Sequence, residues 1–176
     1  RDYHAENLLW LPDREGVVGR FSLDRGAVVR GNRLYHTVSW TYTDSLHMLP
    51  DSRIVVIDVE KEEVVDVLTV PCPDLNVADR DEDGNLYFSN WVYAPGGTLL
   101  ENGAAACAVR IAAGSEELDD WKFSYAEASG HEGAALGYLG NQQWLFSSFL
   151  NDVSSYDPNE DWFDWLFGNT WELRVL

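Results

Sequence analysis

Gly84-Asn85-Leu86-Tyr87-Phe88-Ser89-Asn90-Trp91-Val92-Tyr93 is a tight turn that feeds an aromatic strand, and the chain contains three versions of it. The others are Gly31-Asn32-Arg33-Leu34-Tyr35, running into His36 to Tyr42, and Gly140-Asn141-Gln142-Gln143-Trp144, running into Leu145 to Phe149. The three glycines lie 53 and 56 residues apart, and Trp40-x-Tyr42 recurs as Trp91-x-Tyr93. A period of about 50 residues that carries several short strands matches a four-stranded β-propeller blade with one enlarged loop.

The residues between the turns fit a meander, because β-branched runs alternate with short polar turns. Strands are expected at Arg53 to Val59 and Val64 to Val70 in the first unit. The second unit should hold Leu75 to Ala78, Leu86 to Tyr93, a long loop from Ala94 to Ala105, then strands at Ala106 to Ile111 and Trp121 to Ala126. The third begins at Ala134 to Leu139. The expected fold is therefore all-β and propeller-like, with about three four-stranded blades belonging to a larger propeller: 28–71, 72–130 and an incomplete 131–176. Residues 1–27 read as a partial preceding blade or an N-terminal extension, with Gly16 to Leu23 as its outer strand.

Three blades cannot close a ring of the usual four to eight. Open ends would leave aromatic faces in water, so the rest of the propeller or another chain is expected to complete it. The chain opens at Arg1 with no Met and no apolar leader, and it closes on strand-like residues, which points to a processed chain or a piece of a longer one.

Composition narrows the partners. Twelve Lys and Arg against 30 Asp and Glu give a net charge of −18, which excludes nucleic acid as a partner for want of a basic footprint. Residues 1–33 carry six Arg and a net +1, whereas 34–176 carry −19. No apolar run approaches the roughly 20 residues of a membrane-crossing helix, so no transmembrane span is expected. With 8 Trp, 8 Tyr and 7 Phe, the chain needs the broad packing faces of sheets.

Candidate sites each compete with a plain structural role. Asp79, Asp81 and Asp83 form a D-x-D-x-D-G run like the start of a calcium loop, but Asn90 stands where the twelfth-position Glu belongs. The plain reading is a turn. Cys72 and Cys107 are the only cysteines; a bridge would tie neighbouring blades through a loop of about 36 residues and imply an oxidising compartment. The alternative is two buried thiols. His131 sits at the entry to the third unit's first strand, where a ligand contact competes with a turn role.

Trp40, Tyr42, Trp91 and Tyr93 share strand faces near the loops, serving either as packing between blades or as an aromatic platform for a ligand. In the loop from Asn151 to Thr170, carboxylates interleave with Trp162, Phe163 and Trp165, and no Lys or Arg occurs from Phe123 through Leu173. Those rings need burial, against the blades or against a protein partner. No nucleophile-elbow, phosphate-loop or zinc-protease motif occurs in a usable context, so the chain reads as a non-enzyme.

The segments Val70-Pro71-Cys72-Pro73, Asp83 to Gly96, Cys107-Ala108-Val109-Arg110-Ile111 and Glu132 to Leu136 together resemble the secreted β-propeller lipoproteins of the family that includes the myxobacterial siderophore-cluster protein MxcI. The resemblance covers roughly residues 28–150. It implies a part of a seven- or eight-bladed propeller, an extracellular or periplasmic, cell-surface-associated location, and a role in capturing a siderophore or metal chelate for an outer-membrane transporter. Ferric catecholates are anionic and want cations around them. Such a ligand would be met by Arg30, Arg33, Arg53 or Arg110, or by residues outside this chain. Two alternatives accompany this reading: an interaction protein that docks through the acidic aromatic loop in an extracellular assembly, and a calcium-dependent propeller hydrolase.

Overall fold

The computed structural model describes residues 16–20, 24–43, 45, 47–168 and 170–176. They form three antiparallel sheets in chain order. The first holds β1 (Val17–Arg20), β2 (Ala27–Arg30), β3 (Arg33–Tyr42), β4 (Ser52–Asp58) and β5 (Glu63–Val70). The second holds β6 (Leu75–Arg80), β7 (Leu86–Asn90), β8 (Cys107–Ile111) and β9 (Lys122–Ser124), and the third β10 (Gly133–Gly140), β11 (Gln143–Phe149) and β12 (Trp171–Val175). From β2 onward each sheet is a meander of sequence neighbours, the arrangement that alternating strands and short turns favour, and β1 alone pairs out of sequence, with β3. No described helix is long and apolar enough to cross a membrane.

The repeated turn joins β2 to β3, β6 to β7 and β10 to β11. Gly31, Gly84 and Gly140 all have positive φ, at 62°, 89° and 91°, which a residue without Cβ adopts at no steric cost. The sheets also interlock in a repeated way. Ser39 of β3 donates to Asp74 at the entry of β6, and Asn90 of β7 donates to the Gly133 carbonyl at the entry of β10.

Of the expected segment 1–27, residues 1–15 and 21–23 lie outside the described residues. The described β1 lies beside β2 on the same edge of β3, with Val17 opposite Tyr42 and Arg20 opposite Ser39. The ten-residue β3 is the reason. β2 covers only Arg33 to His36, and β1 covers Ser39 to Tyr42, where backbone groups would otherwise lack ladder partners.

Two expected strand or loop segments are helical. The expected strand to Tyr93 stops at Asn90, and Tyr93–Glu101 forms α1 in place of a loop. Pro95 falls in its first turn, where proline costs no hydrogen bond, and the helix ends on left-handed Asn102. Gly96 and Gly97 are poor helix formers, but they are buried, so packing overrides propensity. The expected strand Trp121 to Ala126 also stops early, because Ser124 caps Tyr125–Ser129 (α2) by accepting from the Glu127 N–H. A third short helix, Trp162–Phe167 (α3), is capped by Asp161.

Two cores glue the sheets together. Tyr35, Ile54 and Val56 of the first sheet meet Leu86, Phe88, Val109 and Ile111 of the second, with Cys72 and Cys107 among them. Ala108 and Tyr125 on the second side meet Leu136 and Phe146 of the third. Cys72 and Cys107 form a disulfide with a Cα–Cα distance of 5.8 Å, which fastens the linker between the first two sheets to β8.

Candidate functional site

A cavity of about 300 Å³ opens where the end of β3, β1, α1 and α3 meet, lined by Arg20, Tyr42, Tyr93 and Trp162 with Thr41, Thr43 and Ser45 at its polar side. Its frame follows from the local sequence. β1 pairs with the far end of β3 and so delivers Arg20 next to Tyr42, while α1 begins at Tyr93 and α3 at Trp162. The Arg20 guanidinium lies 4.1 Å from the centre of the Tyr93 ring, a cation–π geometry. Tyr93 in turn meets Trp162 edge-on at 6.1 Å. On the rim, the Tyr42 ring sits 5.3 Å from His47, which reaches Glu101 of α1 at 3.5 Å.

Behind Arg20 lies Asp74, fully buried, with positive φ of 49°. Its Oδ1 sits 3.8 Å from the Arg20 guanidinium and 3.5 Å from the Ser39 hydroxyl, and its Oδ2 has no hydrogen-bond partner. Burial pushes the carboxyl up to about 6, against the opposing pull of Arg20, Ser39, Arg25 and the Ala94 N–H. Arg20 is thus shared between a buried acid and the cavity.

Tyr42, Tyr93 and Trp162 are the residues singled out from the sequence that the fold brings together here. Trp40 is a core residue at 2% exposure, packed with Val38, Leu49 and Val55, so it presents no surface to a ligand. Trp91 lies under the Arg25 guanidinium at 3.9 Å, outside the cavity lining. His131 is exposed in the turn before β10. Arg33 is paired with Asp58 and reaches Glu116 at 3.7 Å, and Arg110 is paired with Asp119 at 2.8 Å. Arg30 is spent on backbone carbonyls of Gly84, Ala112 and Ser115, and Arg53 on Asp51. None of these four lines the cavity.

The carboxylates of the D-x-D-x-D-G run point to separate partners. Asp79 accepts from the Tyr138 N–H of β10 at 2.7 Å. Asp81 folds back on its own hairpin and accepts from the Asn85 backbone and side chain and from the Tyr87 hydroxyl at 3.0 Å; burial raises its carboxyl, but these donors hold it below the usual range. Asp83 is exposed. Among the described residues no three His, Cys, Asp or Glu side chains converge in a way that would hold a metal ion.

The acidic aromatic loop buries Trp165 and leaves Phe163 and Phe167 exposed. Trp165 is only 7% exposed, meets Phe149 at 4.9 Å and Tyr156 at 5.5 Å, and donates its indole N–H to Ser155 at 2.9 Å, so it is an interior anchor and not a partner contact. Phe163, 46% exposed and stacked on Phe167 at 4.3 Å, is the outward member of the trio.

Arg20 and Asp74 escaped the sequence reading. Arg20 lay in the stretch whose strand was assigned elsewhere, and the Pro73-Asp74 pair looks like an ordinary turn until the sheets stack. No family model matches the sequence, and no curated protein matches it.

Proposed function

We propose that this chain is a non-enzymatic binding module built from three blades of a β-propeller, and that its cavity holds a flat aromatic group bearing negative charge. One catecholate arm of a ferric siderophore has that chemistry, and capture for an outer-membrane transporter is the proposed context. The carrying observation is the cavity in which Arg20 lies over Tyr93 beside Tyr42 and Trp162. Aromatic walls favour a flat ring, and a guanidinium with one face toward the opening favours an acid group on it. A volume of about 300 Å³ is small for a binding pocket, which suits one ring and not a whole chelate. The disulfide supports an extracellular or periplasmic location.

Titration with ferric 2,3-dihydroxybenzoate tests the reading, because Trp162 lines the cavity and its emission should be quenched. Saturable quenching at micromolar concentration, lost in Arg20→Gln and Tyr93→Ala, is the expected result. A flat titration, or equal quenching in all three proteins, would overturn it.

A second reading, docking onto a protein partner or a completing blade, draws on the exposed Phe163 and Phe167 together with Leu173, 69% exposed on the edge strand β12. Phe163→Ser with Phe167→Ser should weaken association with that partner while the melting temperature holds. Deleting the whole loop is a poorer test, since it removes the buried Trp165 and Leu166.

A further inference from the structure

A carboxylate with no exposed surface and one oxygen without a partner is costly to keep ionised, and such groups are retained where they act on a neighbour. Asp74 has that description, and its neighbour is the cation of the cavity. The groups facing it come from every side. Arg20 arrives from β1, Arg25 from the turn before β2, the Ser39 hydroxyl from β3 and the Ala94 N–H from α1. The Asp74 backbone carbonyl also accepts from the Trp91 N–H at 3.0 Å, which fastens this turn to the end of β7.

We infer that Asp74 is a proton-operated control on the cavity: ionised, it holds and neutralises Arg20; protonated, it leaves the Arg20 charge to an aromatic anion, which therefore binds more tightly in mild acid. This rests on the proposed reading of the cavity as a site for a flat aromatic anion. Electrostatics sets the sign. The rim pair His47 and Glu101 is common to wild type and variant, whereas the negative field of Asp74 meets an anion beside Arg20 only while that carboxyl is ionised, and by linkage the bound anion favours the protonated acid. Because burial places the carboxyl near 6, the change falls between pH 7.5 and pH 5. A coupling of one pKa unit corresponds to about tenfold in affinity.

The probe should be a single ring that keeps its own charge across that range, so benzenesulfonate is preferred to a catecholate. Binding is measured calorimetrically at pH 7.5 and pH 5 in wild type and in Asp74→Asn. Wild type should bind about tenfold more tightly at pH 5, and Asp74→Asn should bind at both pH values with nearly the acid affinity of wild type. Equal pH dependence in the two proteins, or a wild type indifferent to pH, overturns the proposal. Should Asp74→Asn fail to fold, Ser39→Ala serves instead: it removes a donor to the ionised carboxyl and should move the wild-type midpoint to higher pH, and an unmoved midpoint counts against control by Asp74.

A ligand-free measurement separates this inference from the reading beneath it. The Asp74 carboxyl carbon and the Arg20 Nε–H are followed by NMR across the same pH range. If the probe binds at no pH, the cavity reading fails, while an Arg20 signal that follows the Asp74 midpoint still upholds the coupling. An Arg20 signal that ignores that midpoint overturns it.

Discussion

Replacing Cys72 and Cys107 together by Ala should cost about 4 kcal/mol of stability. The bridge joins residues 35 apart, and the loop-closure entropy that a cross-link removes from an unfolded chain of that span is about 13 cal/mol/K, or about 4 kcal/mol at room temperature. Both sulfurs also sit in the core between the first two sheets, so the truncated side chains leave a small void that adds to the loss. For a domain of this size, 4 kcal/mol lowers the melting temperature by about 8 to 16 °C. Urea unfolding and calorimetry on the oxidised, reduced and double-Ala proteins would read it. The urea dependence should steepen as well, because the freed chain exposes more surface when it unfolds. A fall of less than about 3 °C on complete reduction, with no change in urea dependence, would refute the idea that the bridge acts by restricting the unfolded chain.

Gly133→Ala should destabilise the junction of the second and third sheets by about 1 to 3 kcal/mol, since a Cβ there would lie 2.7 Å from the Ser147 carbonyl oxygen and 2.7 Å from the Tyr125 ring. Chemical denaturation would show it, and unchanged stability would mean that the two sheets part easily. Asp74 should tie stability to pH in the direction opposite to most acids. Its folded value of about 6 exceeds the ordinary unfolded one, so the folded state binds the extra proton, and stability is gained as pH falls from 7 through 6 and lost as pH rises. About 1.4 kcal/mol of this gain appears between pH 7.5 and pH 5, and about 3 kcal/mol once the pH is below the ordinary carboxylate value of 3.8. Unfolding of wild type measured against Asp74→Asn at pH 7.5 and pH 5 isolates this group, and a difference that does not change with pH would contradict it.

The sheets were legible in the sequence because their signals are local. Glycine turns at 31, 84 and 140 and the β-branched runs of β4 and β5 mark themselves within a few residues, and the antiparallel meanders follow. What escaped depends on distant neighbours. Gly96 and Gly97 read as loop, and they become helix only because the core covers them. The cap formed by Ser124 and Glu127 was a local signal, but the aromatic run Trp121 to Tyr125 masked it. Trp165 looked available because its acidic neighbours look solvated; its ring contacts with Phe149 and Tyr156 exist only once α3 folds back on β11.

The charge of the chain is better understood through where its carboxylates go than through its sum. Asp58, Asp119, Asp152, Asp157 and Asp161 each accept from a backbone N–H two or three residues ahead, so a good part of the acidity is turn and cap chemistry. The Arg-rich beginning has the complementary fate. Arg25 covers Trp91, Arg30 satisfies three carbonyls in the turns of the second sheet, and Arg33 meets Asp58. These cations are used up inside the fold, Arg25 and Arg30 between the first two sheets and Arg33 across β3 and β4. Arg20 differs in that its partner, Asp74, is an acid that burial disposes to take a proton, and its other face borders a cavity. A cation held that way keeps its charge available under one condition and withdraws it under another, which is why the anion binding proposed for the cavity should be a function of pH and not a fixed property of its walls.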